Sequence, residues 1–266
     1  MNYPTTLPGT HKAVLNRIIE ALSADSRLCG IAASGSYGSN KMDDYSDLDL
    51  VIAIHPNDYQ DVFDQRFEIV SQIEGYTAGF SGEHVGEPRL IVSIFAPNAI
   101  HVDFKFVSLP DAAARVDDCA VLWEKGTLLT DVFATALPAY PQPDPQWIED
   151  RFWIWTHYAA TKIARGEYFE TLEFLSFLRQ NVLSPLALKQ TGLTPSGVRT
   201  IEKRLPEFAE KLAKTIATVE KQSLISAVKQ CVSLYLELRD NEVVERNDRA
   251  QELVISIFKI SSVTKK

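Results

Sequence analysis

Ser46-Asp47-Leu48-Asp49-Leu50-Val51 is the stretch of this chain that decides the fold, and residues 52–54 continue it with a wholly apolar run. Because side chains alternate between the two faces of a β-strand, Asp47 and Asp49 point to one face while the leucines point into a core. The two aspartate Cα atoms lie about 6.6 Å apart, so both carboxylates can reach one ion or a pair of ions. The stretch therefore predicts a buried strand that presents two carboxylates at its start.

A turn with little side-chain bulk precedes this strand. Residues 29–34 are strand-like and lead into Gly35-Ser36-Tyr37-Gly38-Ser39-Asn40. Glycine permits backbone conformations that other residues avoid, and serine hydroxyls add hydrogen-bond donors, as a phosphate-binding turn requires. We therefore expect four residues to contact the phosphates of a nucleotide: Gly35, Ser36, Ser39 and Asn40.

A third carboxylate, Asp103, lies on a later predicted hairpin. Residues 89–95 are strand-like, Pro97-Asn98 is a turn signal, and residues 100–106 alternate between apolar and polar side chains, with Asp103 on the polar side. Such a hairpin would bring Asp103 beside the first two aspartates. Three clustered carboxylates repel one another unless divalent cations offset their charge, and Mg²⁺ prefers oxygen ligands. The sequence predicts a magnesium site formed by Asp47, Asp49 and Asp103, with Asp103 as the candidate general base.

Other interpretations of these acids remain open from the residues alone. An Asp-x-Asp pair also occurs at solvated strand edges and in glycosyltransferases that use a nucleotide sugar. Asp103 alone would equally suit the solvated face of an antiparallel sheet. The Gly-Ser turn favours phosphate chemistry, since the glycosyltransferase interpretation leaves that turn unexplained.

The joint pattern of strand, Gly35-Ser36 turn, Asp47-Leu48-Asp49 and third aspartate resembles the nucleotidyltransferase superfamily that includes DNA polymerase β. Within it, the chain is most similar to the streptomycin (aminoglycoside 6-) adenylyltransferases, a likeness carried by residues 98–107, 128–131 and 151–167. The chain departs from that group at Tyr37, where arginine is common. The resemblance implies two Mg²⁺ ions, a nucleoside triphosphate, most simply ATP, and transfer of its nucleoside monophosphate to a hydroxyl of a small molecule. The implied acceptors include aminoglycoside antibiotics, and the implied roles include antibiotic resistance.

Four prolines in residues 137–146 mark a connection between two parts of the chain. Before it, strand and helix signals alternate, with helices expected at residues 11–26 and 58–74. After it, helical periodicity dominates, at residues 152–163, 168–188, 205–219, 224–238 and 247–260. We expect an α+β fold, in which residues 1–140 form a catalytic domain with a mixed sheet and flanking helices. Residues 147–266 would form an all-helical domain that binds substrate or nucleotide.

The two parts of the 266-residue chain also differ in net charge. The chain has a net charge of −8, made up of −13 in residues 1–150 and +5 in residues 151–266. The acidic first part would attract a cationic acceptor, and Lys162 of the helical part is our candidate phosphate contact. An acidic chain without a Lys/Arg-rich patch argues against a nucleic-acid partner, whose binding depends on neutralising phosphates.

The cysteines and the ends of the chain predict a cellular location. Cys29, Cys119 and Cys231 are odd in number and widely spaced in apolar surroundings, as expected of reduced core residues in a cytoplasmic protein. No N-terminal signal segment and no apolar run long enough to span a membrane are visible.

The alternative to an enzyme is a nucleotide-binding regulatory or antitoxin-like module that binds or nucleotidylates a partner protein. The presence of all three acids favours the enzyme.

Overall fold

The structure, a computed structural model, describes residues 3–260 and the side chains of residues 3–258. The chain divides into two units, Met1–Tyr140 and Pro141–Lys266. Residues 1, 2 and 261–266, which the expected domains include, lie outside the described residues. The expectation of a mixed α/β first part followed by a helical second part is confirmed. In the part of the chain that the structure describes, no helix combines the length and apolarity needed to cross a membrane.

The first unit is built from one mixed sheet with flanking helices. Its strands are β1 (Leu28–Ala33), β2 (Leu48–Ile54), β3 (Tyr76–Gly82), β4 (Glu87–Phe95), β5 (Ile100–Ser108) and β6 (Ala120–Glu124). Its α-helices are α1 (Gly9–Ser23), α2 (Gly35–Gly38), α3 (Tyr59–Ser71) and α4 (Leu128–Ala134). Within residues 3–260 the strand order is β3-β4-β5-β2-β1-β6, and β2–β5 is the parallel pair. The expected hairpin is confirmed by the antiparallel pairing of β4 with β5.

The two faces of this sheet have different roles. Leu48 and Leu50 of β2 are buried with Val102 and Phe104 of β5 in a core that also contains apolar side chains of α1 and α3. Residues at the alternate positions of both strands project to the opposite face, because the side-chain period of a strand is two. There, α4 covers β1 through Leu129, which belongs to a smaller apolar cluster. The aspartates of β2 and β5 therefore lie on the face away from the main core.

Two strands of the sheet were not predicted. β3 contains two glycines and has mostly exposed or half-buried side chains, and β6 has only five residues. Both lie at the edges of the sheet, where a strand has one partner and needs little apolar patterning. The polar segment 81–87 ends β3, forms a short turn at Glu83–Val85 and begins β4.

The second unit is helical throughout its described elements. They are α5 (Pro145–Arg165), α6 (Tyr168–Leu178), a π-helical turn (Arg179–Leu183), α7 (Ser184–Gln190), α8 (Ile201–Arg204), α9 (Pro206–Ala213), α10 (Lys221–Arg239) and α11 (Asp248–Ile260). α5 begins inside the proline-rich stretch, because Asp144 accepts hydrogen bonds from the N–H groups of Gln146 and Trp147. Pro145 is compatible with this start, since the first turn of a helix does not need its N–H group.

A buried carboxylate joins three helices of the second unit. Glu149 of α5 is 1% exposed and accepts hydrogen bonds from Tyr235, from Trp153 Nε1 at 3.2 Å and from the backbone N–H of Asn247 at 3.0 Å. It also pairs with Arg239, with 3.3 Å between Nη1 and Oε1. Burial by itself would raise the pKa of Glu149, but the hydrogen bonds from Tyr235 and the other donors hold it below its usual value. The network ties α5 to α10 and to the start of α11.

The three cysteines are free thiols. Cys29 and Cys231 are buried, whereas Cys119 is only partly so, because it precedes the short edge strand β6. Burial raises the pKa of Cys119 to about 11 and that of Cys231 to about 12. Since the thiolate is the reactive form, these groups stay protonated and unreactive near neutral pH.

Candidate active site

The predicted carboxylates meet on adjacent strands of the first unit. β2 and β5 run parallel, and Asp49 is the register partner of Asp103. Residues paired in this way project to the same face of a sheet, here the face away from the main core. Asp47 immediately precedes β2, and its charge contributes to raising the pKa of Asp103. The structure thus sets Asp49 beside Asp103 and places Asp47 near enough for its charge to act on Asp103.

The environment of Asp103 favours its protonated form more than water would. Burial is the main cause of the raised pKa of Asp103, and the negative charge of Asp47 adds to it. His101 opposes both effects through a hydrogen bond between its Nε2 and Oδ1 of Asp103, at 2.8 Å. A carboxyl group with a raised pKa is a stronger proton acceptor once ionised, which suits the expected general base.

The donor set of the site is compatible with a divalent cation. Among the residues whose side chains are described, no three His, Cys, Asp or Glu are already arranged to hold a metal ion. Because like charges repel, close approach of three carboxylates requires a cation between them. Mg²⁺ needs only one or two carboxylates from a protein when substrate phosphates and waters complete its shell. Asp47, Asp49 and Asp103 offer carboxylate oxygens of that kind, and their contact with a metal ion stays a prediction.

Gly35 lies directly against Asp49. The backbone N–H of Ser34 donates to the carbonyl oxygen of Asp49 at 2.9 Å, and the chain then turns at Gly35 with φ of +60°. A Cβ atom at this position would clash with Oδ2 of Asp49. Both the left-handed backbone and the neighbouring carboxylate therefore require glycine here.

Ser36 supplies a hydroxyl suited to a phosphate oxygen. The segment Gly35–Gly38 forms one helical turn, α2, where an open loop was expected. Oγ of Ser36 is buried, and within the described residues it has no hydrogen-bond partner. Leaving such a group unpaired costs about 1–3 kcal/mol, which a bound oxygen acceptor would remove. Ser36 follows Gly35, which lies against Asp49; a contact of its hydroxyl with a nucleotide stays a prediction.

The side chains of Ser39 and Asn40 make local hydrogen bonds. Ser39 Oγ donates to the carbonyl oxygen of Gly35 at 3.0 Å. Asn40 Oδ1 accepts from the backbone N–H of Thr6 at 3.3 Å and from the hydroxyl of Thr6 at 3.2 Å. These contacts tie the turn to the N-terminal segment of the chain. A direct contact of Ser39 or Asn40 with a nucleotide stays a prediction.

Two histidines of this region were not assigned to the site from the sequence. His101 shares the polar face of β5 with Asp103, so the alternation of that strand could have identified it. His11 of α1 is 1% exposed, and its Nε2 donates to the carbonyl oxygen of Ser46 at 2.7 Å, just before Asp47. No local pattern predicts that contact, because it joins residues 35 positions apart.

Lys162, the predicted phosphate contact of the helical part, has acidic partners inside its own unit. Its Nζ lies 2.6 Å from Glu167 and 2.9 Å from Glu170, and 4.8 Å from the ring centroid of Tyr158. Hydrogen bonds to Glu167 and then Glu170 raise the pKa of Lys162. Its contact with a nucleotide stays a prediction.

Replacing Gly35 with alanine is expected to lower activity more than it lowers stability. Gly126 offers a matched control, because its φ is +62° but a Cβ atom there would have no atom within 4 Å. Both substitutions place an alanine in the left-handed region of backbone conformation, which lowers the stability of the folded state by about 1–2 kcal/mol. Only Gly35→Ala also displaces the carboxylate of Asp49, and misplacement of a reacting group by about 1 Å can cost about 100-fold in rate. Denaturant unfolding and a pyrophosphate-release assay of both variants measure the two effects, and equal loss of activity would contradict the assignment.

Comparison with known proteins finds solved structures that resemble this chain, and two of them are described here. No family model matches the chain, and no curated protein matches it. The crystal structure of an aminoglycoside 6-adenyltransferase from Bacillus subtilis is 15% identical, with a TM-score of 0.43, over 92% of this chain and 97% of that one. A nucleotidyltransferase-like protein from Exiguobacterium sibiricum is also 15% identical, with a TM-score of 0.36, over 86% of this chain and 75% of that one.

Proposed function

We propose that this protein is a divalent-metal-dependent nucleotidyltransferase, which moves a nucleoside monophosphate, most simply AMP from ATP, to a hydroxyl of a small molecule. The observation that carries the proposal is the register pairing of Asp49 with Asp103, beside a turn in which Asp49 itself requires Gly35. Carboxylates that hold metal ions next to a phosphate-binding turn are the groups needed for displacement at a phosphate.

Each group of the site has a separate role in this reaction. The three aspartates would hold the ions, for which Mg²⁺ is the natural choice. When bound, such ions would offset the negative charge that develops on the phosphate oxygens during an in-line displacement. The backbone of the Gly35 turn and the hydroxyl of Ser36 orient the terminal phosphates. Asp103 accepts the proton of the attacking hydroxyl while the new O–P bond forms at the α-phosphate and pyrophosphate leaves.

The acceptor class that we propose is a hydroxylated cation of the aminoglycoside type. Residues 1–150, which contain the three aspartates, have a net charge of −13. A surface of one sign raises the local concentration of small molecules of the opposite sign and speeds their association. This charge supports a cationic acceptor over a neutral or anionic one, and a salt-dependent KM for the acceptor would be its kinetic signature.

The proposal is tested by an acceptor screen with the full chain. Pyrophosphate release is measured with Mg²⁺ and each of ATP, GTP, CTP and UTP against aminoglycosides, lincosamides, neutral polyols and candidate proteins, and product masses are determined. We expect one class of cationic molecule to gain the mass of one nucleoside monophosphate. We also expect EDTA to abolish the release and excess Mg²⁺ to restore it.

Other outcomes of the screen would count against parts of this proposal. Transfer only to neutral molecules would contradict the cationic acceptor while leaving the chemistry intact. Transfer only to a protein would favour the regulatory module over the small-molecule enzyme. Absence of pyrophosphate release with every nucleotide and acceptor, or release that is insensitive to EDTA, would contradict the metal-dependent transfer itself.

A further inference from the structure

His101 is in direct contact with one of the three aspartates. It lies two residues before Asp103 on β5, so both side chains project from the same face. Nε2 of His101 is 2.8 Å from Oδ1 of Asp103, and the two side chains are 46% and 20% exposed. An ionised carboxylate has no hydrogen to donate, so the imidazole Nε2–H is the donor. The hydrogen bond therefore constrains Oδ1 of Asp103 from the solvent side.

Neither register partner of Asp103 has a side-chain N–H group to offer to this carboxylate. The register partners of Asp103 are Val92 on β4, which is apolar, and Asp49 on β2, which is itself an acid. The imidazole of His101, by contrast, donates a hydrogen bond to Asp103. The terminal torsion of an aspartate is broad, so a carboxylate without an anchor samples several orientations.

We propose that His101 is a positioning residue that holds the carboxylate of Asp103 in one orientation, an inference that rests on the proposed function. By donating to Oδ1, His101 leaves Oδ2 for a metal ion or for the acceptor hydroxyl. Site groups must be held within about 0.5 Å of the productive geometry, and partners behind metal ligands provide that restraint in many proteins. Loss of such a partner typically costs about 10- to 100-fold in metal affinity or activity.

The variants that test this role differ in what they offer to Asp103. His101→Ala removes the hydrogen bond, whereas His101→Gln keeps a side-chain N–H donor. His84→Ala is the matched control, because His84 is an exposed histidine of the same unit that contacts the ring of Phe80. Asp103→Asn serves as the reference for loss of the ligand itself. Circular dichroism of each variant verifies that the first unit is folded.

Two readouts are taken on the full chain. The first is the affinity for Mn²⁺ in the presence of a non-hydrolysable ATP analogue, by isothermal titration calorimetry. The second is kcat and KM for the acceptor that the screen identifies. We expect His101→Ala to weaken Mn²⁺ binding and to lower kcat by about 10- to 100-fold with a much smaller change in KM. His101→Gln should recover most of both losses, and His84→Ala should match the wild type.

The outcomes separate this inference from the proposed function. Wild-type Mn²⁺ affinity and kcat in His101→Ala would overturn the role of His101, as would equal impairment of His101→Gln and His101→Ala. If the wild type transfers no nucleotide, the proposed function fails, and the Mn²⁺ titrations of His101→Ala against Asp103→Asn still decide the role of His101. If the wild type binds no Mn²⁺, the metal site is wrong and the inference fails with it.

Discussion

Asp49→Asn is expected to lower nucleotidyl transfer by about 1,000-fold without loss of stability. Asparagine has the size of aspartate but no charge, so the site loses one of the carboxylates that would hold divalent ions. The folded state should not suffer, because the substitution removes one of three neighbouring negative charges. Pyrophosphate release and the denaturant midpoint of the same preparation measure both effects.

The control for this substitution is Asp64→Asn, which makes the same change of charge at an exposed position on α3. It should retain wild-type turnover. Wild-type turnover in Asp49→Asn would remove the basis of the metal assignment. A fall in its denaturant midpoint would show that Asp49 also stabilises the fold.

Glu149→Gln is expected to lower the unfolding free energy of the helical unit by about 3–5 kcal/mol. The wild-type carboxylate accepts from Tyr235, Trp153 and the backbone of Asn247, and it faces the buried Arg239. Glutamine replaces one acceptor oxygen with a donor NH₂ group and leaves the guanidinium without a counter-charge. Tryptophan fluorescence in a denaturant titration reports this unit, since three of the four tryptophans, at positions 147, 153 and 155, belong to it.

Acid should reduce the difference between wild type and Glu149→Gln. The pKa of Glu149 is lowered in the folded unit, so its contribution to stability is complete above the pKa of an unfolded glutamate, about 4.3. It is lost as the pH falls through the folded value. Glu173→Gln, at an exposed position on α6, should change stability little at any pH. A difference that stays constant in acid, or equal midpoints for the two variants, would refute the role of the network.

Local patterns of the sequence predicted which way the aspartates face, but not the strand pairing that sets Asp103 beside Asp49. The facing of Asp47, Asp49 and Asp103 follows from strand alternation, which depends only on neighbouring residues. The parallel pairing of β2 with β5 depends on contacts between segments some 50 residues apart in sequence, which no local pattern encodes. The order of all the strands within the sheet could not be predicted for the same reason.

The turn at residues 35–40 shows that residue type alone does not identify the partners of a side chain. Gly35 and Ser36 were selected because glycine and serine suit phosphate turns; in the structure Gly35 lies against Asp49, and the hydroxyl of Ser36 has no partner among the described residues. Ser39 and Asn40 were selected by the same rule, yet their side chains bond to Gly35 and Thr6. Residue type shows what a side chain can bind, and only the fold shows which partner is in reach.

The helical part was predicted in outline, with errors where the backbone changes its geometry. Residues 168–188 were expected to be one apolar-rich helical run, but the π-helical turn Arg179–Leu183 interrupts it before α7. Pro185 lies in the first turn of α7 and lacks an N–H group, so a regular α-helical ladder cannot continue through it. The helix expected at residues 205–219 ends at Ala213. The helix propensities of the residues that follow do not by themselves explain why the helix ends there.

The most direct measurement is a crystal structure of the full chain with Mn²⁺ and a non-hydrolysable ATP analogue, in which anomalous scattering locates the metal. The account predicts Mn²⁺ coordinated by Asp47, Asp49 and Asp103, with an oxygen of the triphosphate accepting a hydrogen bond from Oγ of Ser36. Mn²⁺ bound away from these aspartates, or a triphosphate bound away from the Gly35–Ser36 turn, would contradict it.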